Sequence, residues 1–149
     1  MSARSLSVLL VVLVICTSAC NGPLPFLSGG KLDGMDNPTP QSWSIVGDFG
    51  FVQLETNPQD PYSVNIAYTV INEILYVNAG DSETQWVKNM NANPNVRLRM
   101  DDVIYRLKAE RVTRKDEIAA FGEAWTSKSM FHRDPTELDE VWIYRLVTR

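Results

Sequence analysis

Thiols are almost missing from this chain of 149 residues: its two cysteines, Cys16 and Cys20, both fall in the first twenty positions. No disulfide can form in the remainder, so a hydrophobic core has to hold it. Histidine is scarcer still. His132, in the loop MFHRDPT, is the sole example; a multi-histidine metal site is excluded, and in that loop the residue reads as a surface side chain rather than a triad member. Positive charge is absent from Leu32 to Val87, where Asp33, Asp36, Asp48, Glu55, Asp60, Glu73, Asp81 and Glu83 are all acidic. Twelve of the fourteen Lys and Arg residues lie at or beyond Lys88, and so acidic a first half argues against nucleic acid as a partner. There is no internal repeat and no low-complexity block, and the longest apolar run, Leu6 to Ile15, falls well short of the roughly 20 residues that span a bilayer.

What is present at the start is a secretory signal by its parts: Arg4, the apolar run, then Thr17, Ser18 and Ala19 before Cys20. Small residues directly ahead of a cysteine resemble the lipobox of bacterial lipoproteins, although Thr17 stands where that motif usually has Leu. The resemblance implies a signal over 1–19, a lipid on Cys20 and a cell-envelope location facing outside the cytoplasm, with inner or outer membrane unspecified. Ordinary secretion with a free Cys20 is the alternative. Segment 20–42, with NGPLPFLSGG and DNPTPQ, reads as a lipidated Cys and flexible tether reaching roughly 25 Å by a random-coil estimate. The domain proper is expected over 43–149, long enough for one core.

Within it, alternation marks a strand over Phe49 to Leu54, stopped by ETNPQDPYS. Val64 to Ile71 and Ile74 to Asn78 form a tight hairpin about Asn72 and Glu73. Ser82 and Gln85 have the spacing of a capping box for a short helix with Trp86, Val87 and Met90 on its apolar side, ended by Pro94. Val96 to Met100 and Val103 to Val112 pair across Asp101 and Asp102, which places Val96, Leu98, Met100, Val103, Tyr105 and Leu107 on one face. The other face carries Arg97, Arg99, Ile104, Arg106 and Lys108. Thr113 is positioned to cap a second helix with Asp116 and Glu117 in its first turn and Ile118, Phe121 and Trp125 on one side. Val141 to Thr148 is the last strand. The expected fold is mainly β, a small antiparallel barrel of about six strands with two to three helices attached.

The run from LYVNAGDSETQWVKNMNANPNVRLRM to the second helix resembles the split β-barrel of pyridoxamine-phosphate-oxidase-like, FMN-binding flavoproteins, and most of all their deazaflavin-dependent nitroreductase branch. Asn78-Ala79-Gly80, Trp86, Asn89, Met90, Ala92, Asn93 and Pro94 carry the likeness. It implies an oxidoreductase-like protein, a homodimer with FMN or deazaflavin in a cleft between subunits, and a ring lying against the Asn78, Ala79 and Gly80 turn. Trp86, Lys88, Asn89 and Arg97 complete the implied cofactor-binding set; no metal is implied. The chain departs from the family at the phosphate. TNPQDPYS occupies the first hairpin turn where deazaflavin binders carry cations, and Trp86 stands where the FMN branch has a lysine.

Arg97 facing Arg106, a like-charge pair that a sheet does not favour without a counter-anion, therefore admits two readings. With Arg99 and Lys108 it is an anion site, or it is a solvated face screened by carboxylates such as Glu110. Trp125 and Trp142 read as core, and Trp86 as core or stacking platform. The doublets Asp101-Asp102 and Asp139-Glu140 read as solvated turns rather than acid/base pairs. Two functions stay in play: a membrane-tethered flavin or deazaflavin oxidoreductase-like protein, and a binding or structural lipoprotein that kept the barrel without a cofactor.

Overall fold

The computed structural model describes residues 21–80 and 82–149. The expected signal at 1–19 and the lipid site Cys20 lie outside the described residues. The strands are β1 (Met35–Asp36), β2 (Phe49–Thr56), β3 (Tyr62–Ile71), β4 (Ile74–Ala79), β5 (Asn95–Met100), β6 (Val103–Arg111) and β7 (Trp142–Thr148). They hydrogen-bond in the order β1-β6-β5-β2-β3-β4-β7, and an additional pairing of β6 with β7 closes the last six into an antiparallel barrel. The helices are α1 (Gln85–Ala92) and α2 (Lys115–Thr126). The mainly β architecture is the expected one.

Strand alternation explains the core. Val52, Leu54, Val77, Val96, Leu98, Leu107 and Leu146 point inward and are buried together. The β3–β4 hairpin turns at Asn72 and Glu73, both with positive φ (47° and 69°), as a two-residue connection of matching twist requires. The β5–β6 hairpin has the expected register, Met100 opposite Val103 and Arg97 opposite Arg106.

Both helices form where the apolar spacing places them, with different starts. The N-cap of α1 is Thr84, which makes no side-chain capping bond to the helix, rather than Ser82, so the Ser82–Gln85 capping box does not form. Its stability comes from inserting Trp86, Val87 and Met90 into the barrel core. Asn93, extended ahead of Pro94, ends it as expected. α2 begins after Arg114 rather than Thr113, with Asp116 and Glu117 in its first turn. It covers the outside of β3, β4 and β7, where Phe121, Ile118 and Trp125 pack with Tyr76 and Ile143. His132 is not a free surface residue: its ring stacks on Trp125 at 3.7 Å, and its Nδ1 lies 2.8 Å from the Trp125 carbonyl.

Residues 21–42 correct the expectation of a flexible tether. This arm crosses the outer face of β3, β2, β5 and β6. Gly29 and Ser63 exchange backbone bonds of 2.9 and 2.8 Å, Leu32 is fully buried, and β1 runs parallel to β6 along the stretch that β7 leaves unpaired. Apolar side chains at Leu32 and Pro23 and an open strand edge explain the docking, since an unpaired edge is a ready template for another strand. Farther on, a 3-10 turn at Trp43–Val46 buries Trp43 edge-on against Tyr105, with ring centroids 5.1 Å apart.

Two substitutions test this packing. A side chain at Gly50 would begin 2.8 Å from the Tyr68 ring, whose hydroxyl donates to the Val46 carbonyl. Gly50→Ala is expected to cost about 1–3 kcal/mol by denaturant unfolding, with most of the loss absent in a Tyr68→Ala background. Burial, and then its bond to Glu117, pushes the Tyr76 hydroxyl up to about 12. A proton held more tightly in the folded chain stabilises it fully below the unfolded value of about 10, and that contribution is lost as pH rises from 10 towards 12. Thermal melts across that window should slope downward, and Tyr76→Phe should flatten the slope.

Candidate functional site

The outer face of the second hairpin holds the cations on which the sequence reading turned. Each has a partner within the chain. Glu55, the register partner of Arg97 on β2, accepts from Arg97 Nη1 at 3.0 and 2.8 Å through its two oxygens. It also accepts the backbone N–H of Leu32 at 2.6 Å, so the arm is tied to a carboxylate that is only 4% exposed. Asp36 on β1 takes Arg106 through Nε at 3.1 Å and Nη2 at 2.8 Å. That bond holds the Asp36 carboxyl below the usual carboxylate range. Arg99 donates to Gln53 and Asp102, and Lys108 pairs with Glu110 at 3.5 Å. Within the sheet, the unfavourable pair of arginines is thus compensated by Glu55 and Asp36.

Beside this network lies a cavity of about 380 Å³ between the arm, the β2–β3 turn and the ends of β5 and β6. Four cationic side chains line it, Lys31, Arg97, Arg106 and Arg149, against two carboxylates, Asp36 and Glu55. Lys31 and Arg149 form no ion pair among the described residues. Arg149 instead donates to the carbonyls of Leu107 and Val96 at 3.2 and 3.1 Å. Burial, and then the charges of Arg106 and Arg97, draw its guanidinium below its ordinary value. Pro58 and Pro61 of the β2–β3 turn also line the cavity. Two side chains distant in sequence thus put positive charge beside a turn that has none. Sequence reading missed both; Lys31, the sole cation between Arg4 and Lys88, was the available signal.

The other expected residues are dispersed. Asn78 and Ala79 end β4, Ala79 opposite Trp142, and Gly80 follows with open space where a side chain would begin. Arg111 lies 3.2 Å above the Trp142 ring near that end of the barrel. Trp86 is core, edge-on to Tyr144, which settles its open reading and removes it as a stacking platform. Lys88 pairs with Glu83 at 2.7 Å on the surface. Asn89 donates to Thr56 at 2.9 Å and accepts from Gln85 at 2.8 Å, which ties α1 to the wall of the cavity. Arg97 alone of the expected set lines the cavity directly. Asp101 and Asp102 form the β5–β6 turn as expected, Asp102 serving Arg99 and Asp101 at a positive φ, whereas Glu140 accepts from Trp142 Nε1 at 2.5 Å. No group of His, Cys, Asp and Glu suited to a metal occurs among the described residues.

No protein-family model matches the chain, and no curated protein matches it. Solved structures do. A conserved hypothetical protein, Rv2991 from Mycobacterium tuberculosis, superposes with a TM-score of 0.54 at 17% identity over 66% of this chain and 72% of its own. A putative pyridoxamine 5'-phosphate oxidase from Listeria innocua gives 0.52 at 14% identity, covering 65% and 82%. A FAD-binding protein from Mesorhizobium loti gives 0.50 at 16%, covering 66% and 78%. The chain therefore shares the barrel fold of these proteins, the pyridoxamine-phosphate-oxidase-like one among them. At these identities the likeness carries fold and not chemistry.

Removing the Glu55 carboxylate leaves Arg97 without its counter-charge and the Leu32 N–H without its acceptor. Glu55→Ala should cost about 3–5 kcal/mol of stability and expose the arm to limited proteolysis near Leu32. Asp36→Asn breaks a pair open to water and should leave the melting temperature close to that of the parent.

Proposed function

We propose that the protein is a lipid-anchored, cell-envelope member of this flavin-binding fold that receives the phosphate of a flavin-type cofactor, FMN or a deazaflavin, in the cavity beside the β2–β3 turn. The observation that carries this reading is the pair of cations, Lys31 and Arg149, that have no carboxylate partner among the described residues, at a turn that supplies no cation itself. They fit an anionic group; Arg97 and Arg106, already bonded to Glu55 and Asp36, add field rather than direct grip. The ring would rest near Asn78, Ala79 and Gly80, where an open glycine permits close approach. A homodimer would complete the cleft. When bound, such a cofactor supplies hydride transfer, and the protein supplies orientation and electrostatics. The anchor on Cys20 and the location outside the cytoplasm rest on the leader motif.

A second reading has its own support. Glu55 and Asp36 neutralise two of the four cations and Trp86 is sealed in the core. Those features suit a binding or structural lipoprotein that keeps the barrel without a cofactor.

One titration separates them. Purified chain incubated with FMN, and separately with a deazaflavin, should gain visible absorbance after desalting. At 100 times the dissociation constant it should gain about 2.7 kcal/mol of stability, read as a rise in melting temperature. Lys31→Glu, at an exposed side chain with no bond to the barrel among the described residues, should weaken that binding about tenfold or more while leaving the unliganded melt little changed. A chain that takes up no chromophore and shows no thermal shift with either compound is the cofactor-free protein of the second reading.

A further inference from the structure

Three large apolar side chains of the arm are exposed together at one turn, apart from Met35 on β1. Leu24 is 51% exposed, Leu27 64% and Phe26 completely. They sit on the tip of a short reverse turn in which the Leu27 N–H donates to the Leu24 carbonyl at 3.1 Å. Pro25 precedes Phe26, and Phe26 has a φ of 68°. Proline followed by a left-handed residue is the pattern of a type II turn, which ordinarily takes glycine or asparagine at the second position. A phenylalanine there holds a strained backbone with its ring wholly in water, a combination that costs the isolated protein stability twice.

The turn is not loose. Pro23 beneath it is buried, and the Asn65 side-chain amide donates to the carbonyls of Pro23 and Leu24 at 3.4 and 3.0 Å. Gly30 donates to Asn21 at 2.7 Å across its base, and the Gly29–Ser63 exchange pins its return to the barrel. A clamped, apolar, outward tip is built to meet another apolar phase.

Its place in the chain says which phase. Phe26 follows Cys20 by six residues, so the tip lies within about 21 Å of that position even in the fully extended limit. From Asn21 to Leu32 there is no acidic residue and one lysine, Lys31, in a protein of net charge −4. We propose that the Leu24-Pro25-Phe26-Leu27 turn inserts into the interfacial region of the lipid bilayer, adding a second, oriented contact to the acyl anchor and fixing which face of the barrel looks away from the membrane. The inference rests on the lipid-anchor reading above. Acyl chains alone leave a protein free to swivel, whereas a rigid apolar turn seated in the headgroup and upper acyl boundary sets its pose.

The test uses the full chain reconstituted in vesicles of phosphatidylethanolamine and phosphatidylglycerol. Intact mass reads acylation of Cys20 independently. Phe26→Cys, labelled with an environment-sensitive fluorophore, is compared with the same label at Met130, another strongly exposed position at the far end of α2. The expected result is a blue shift at position 26, with quenching by nitroxide lipids and loss of quenching by aqueous iodide, none of which develops at position 130. An acylated chain whose position 26 stays as open to iodide as it is without vesicles overturns the proposal. So does a label already shielded before vesicles are added, which would make the turn a contact between copies of the chain. If the mass shows no acyl group, the anchor reading fails on its own. The turn is then tested in a Cys16→Ser, Cys20→Ser, Phe26→Cys chain added to preformed vesicles: lipid quenching sustains the insertion, and its absence overturns it.

Discussion

A single buried carboxylate organises this molecule. Glu55 sits on a barrel strand, where burying a lone charge would be prohibitive, and two partners that each need it make it tolerable. Arg97 would otherwise face Arg106 across the β5–β6 ladder with no anion between them and β2. The Leu32 N–H would otherwise be buried without an acceptor. The three groups satisfy one another, and the result joins strand, hairpin and arm into one unit. Breaking such an arrangement at one member is far more damaging than its net worth to stability, because the remaining charge stays behind in a poor solvent.

The docking of the arm follows from that tie and alters the barrel it covers. β1 occupies the stretch of β6 that β7 does not reach, so an edge that would invite a foreign strand is capped from within the chain. The opposite outer face is covered by α2, with Phe121 and Ile143 at its centre. Between these two covers lie the cavity by the β2–β3 turn and the end of β4. The same arm contributes Asp36, Lys31 and Leu32 to three different environments: a surface ion pair, the cavity wall and the core.

The strands and both helices were legible because side-chain period and turn residues are local signals. The Asn72-Glu73 connection, the Asp101-Asp102 hairpin and the Pro94 stop could each be read within a few residues. The candidate site was legible only in part. The facing of Arg97 and Arg106 followed from hairpin register, yet their carboxylate partners lie 42 and 70 positions away, which no local pattern encodes. The arm misled for a related reason. Gly and Pro mark irregular backbone, and irregular backbone was equated with freedom, whereas a segment without regular structure can still be fixed by a buried leucine and a few long-range hydrogen bonds.

By itself the sequence determined the class of fold, the register of its hairpins and the acidic first half, because each is written in the order and spacing of neighbouring residues. Only the tertiary structure decided which charges are spent and which remain. The pairing of Glu55 with Arg97, the capture of Arg106 by Asp36, the sealing of Trp86 in the core and the meeting of Lys31 with Arg149 all depend on distances across the barrel. Electrostatic neutralisation and burial act through space, and the chain order does not state them.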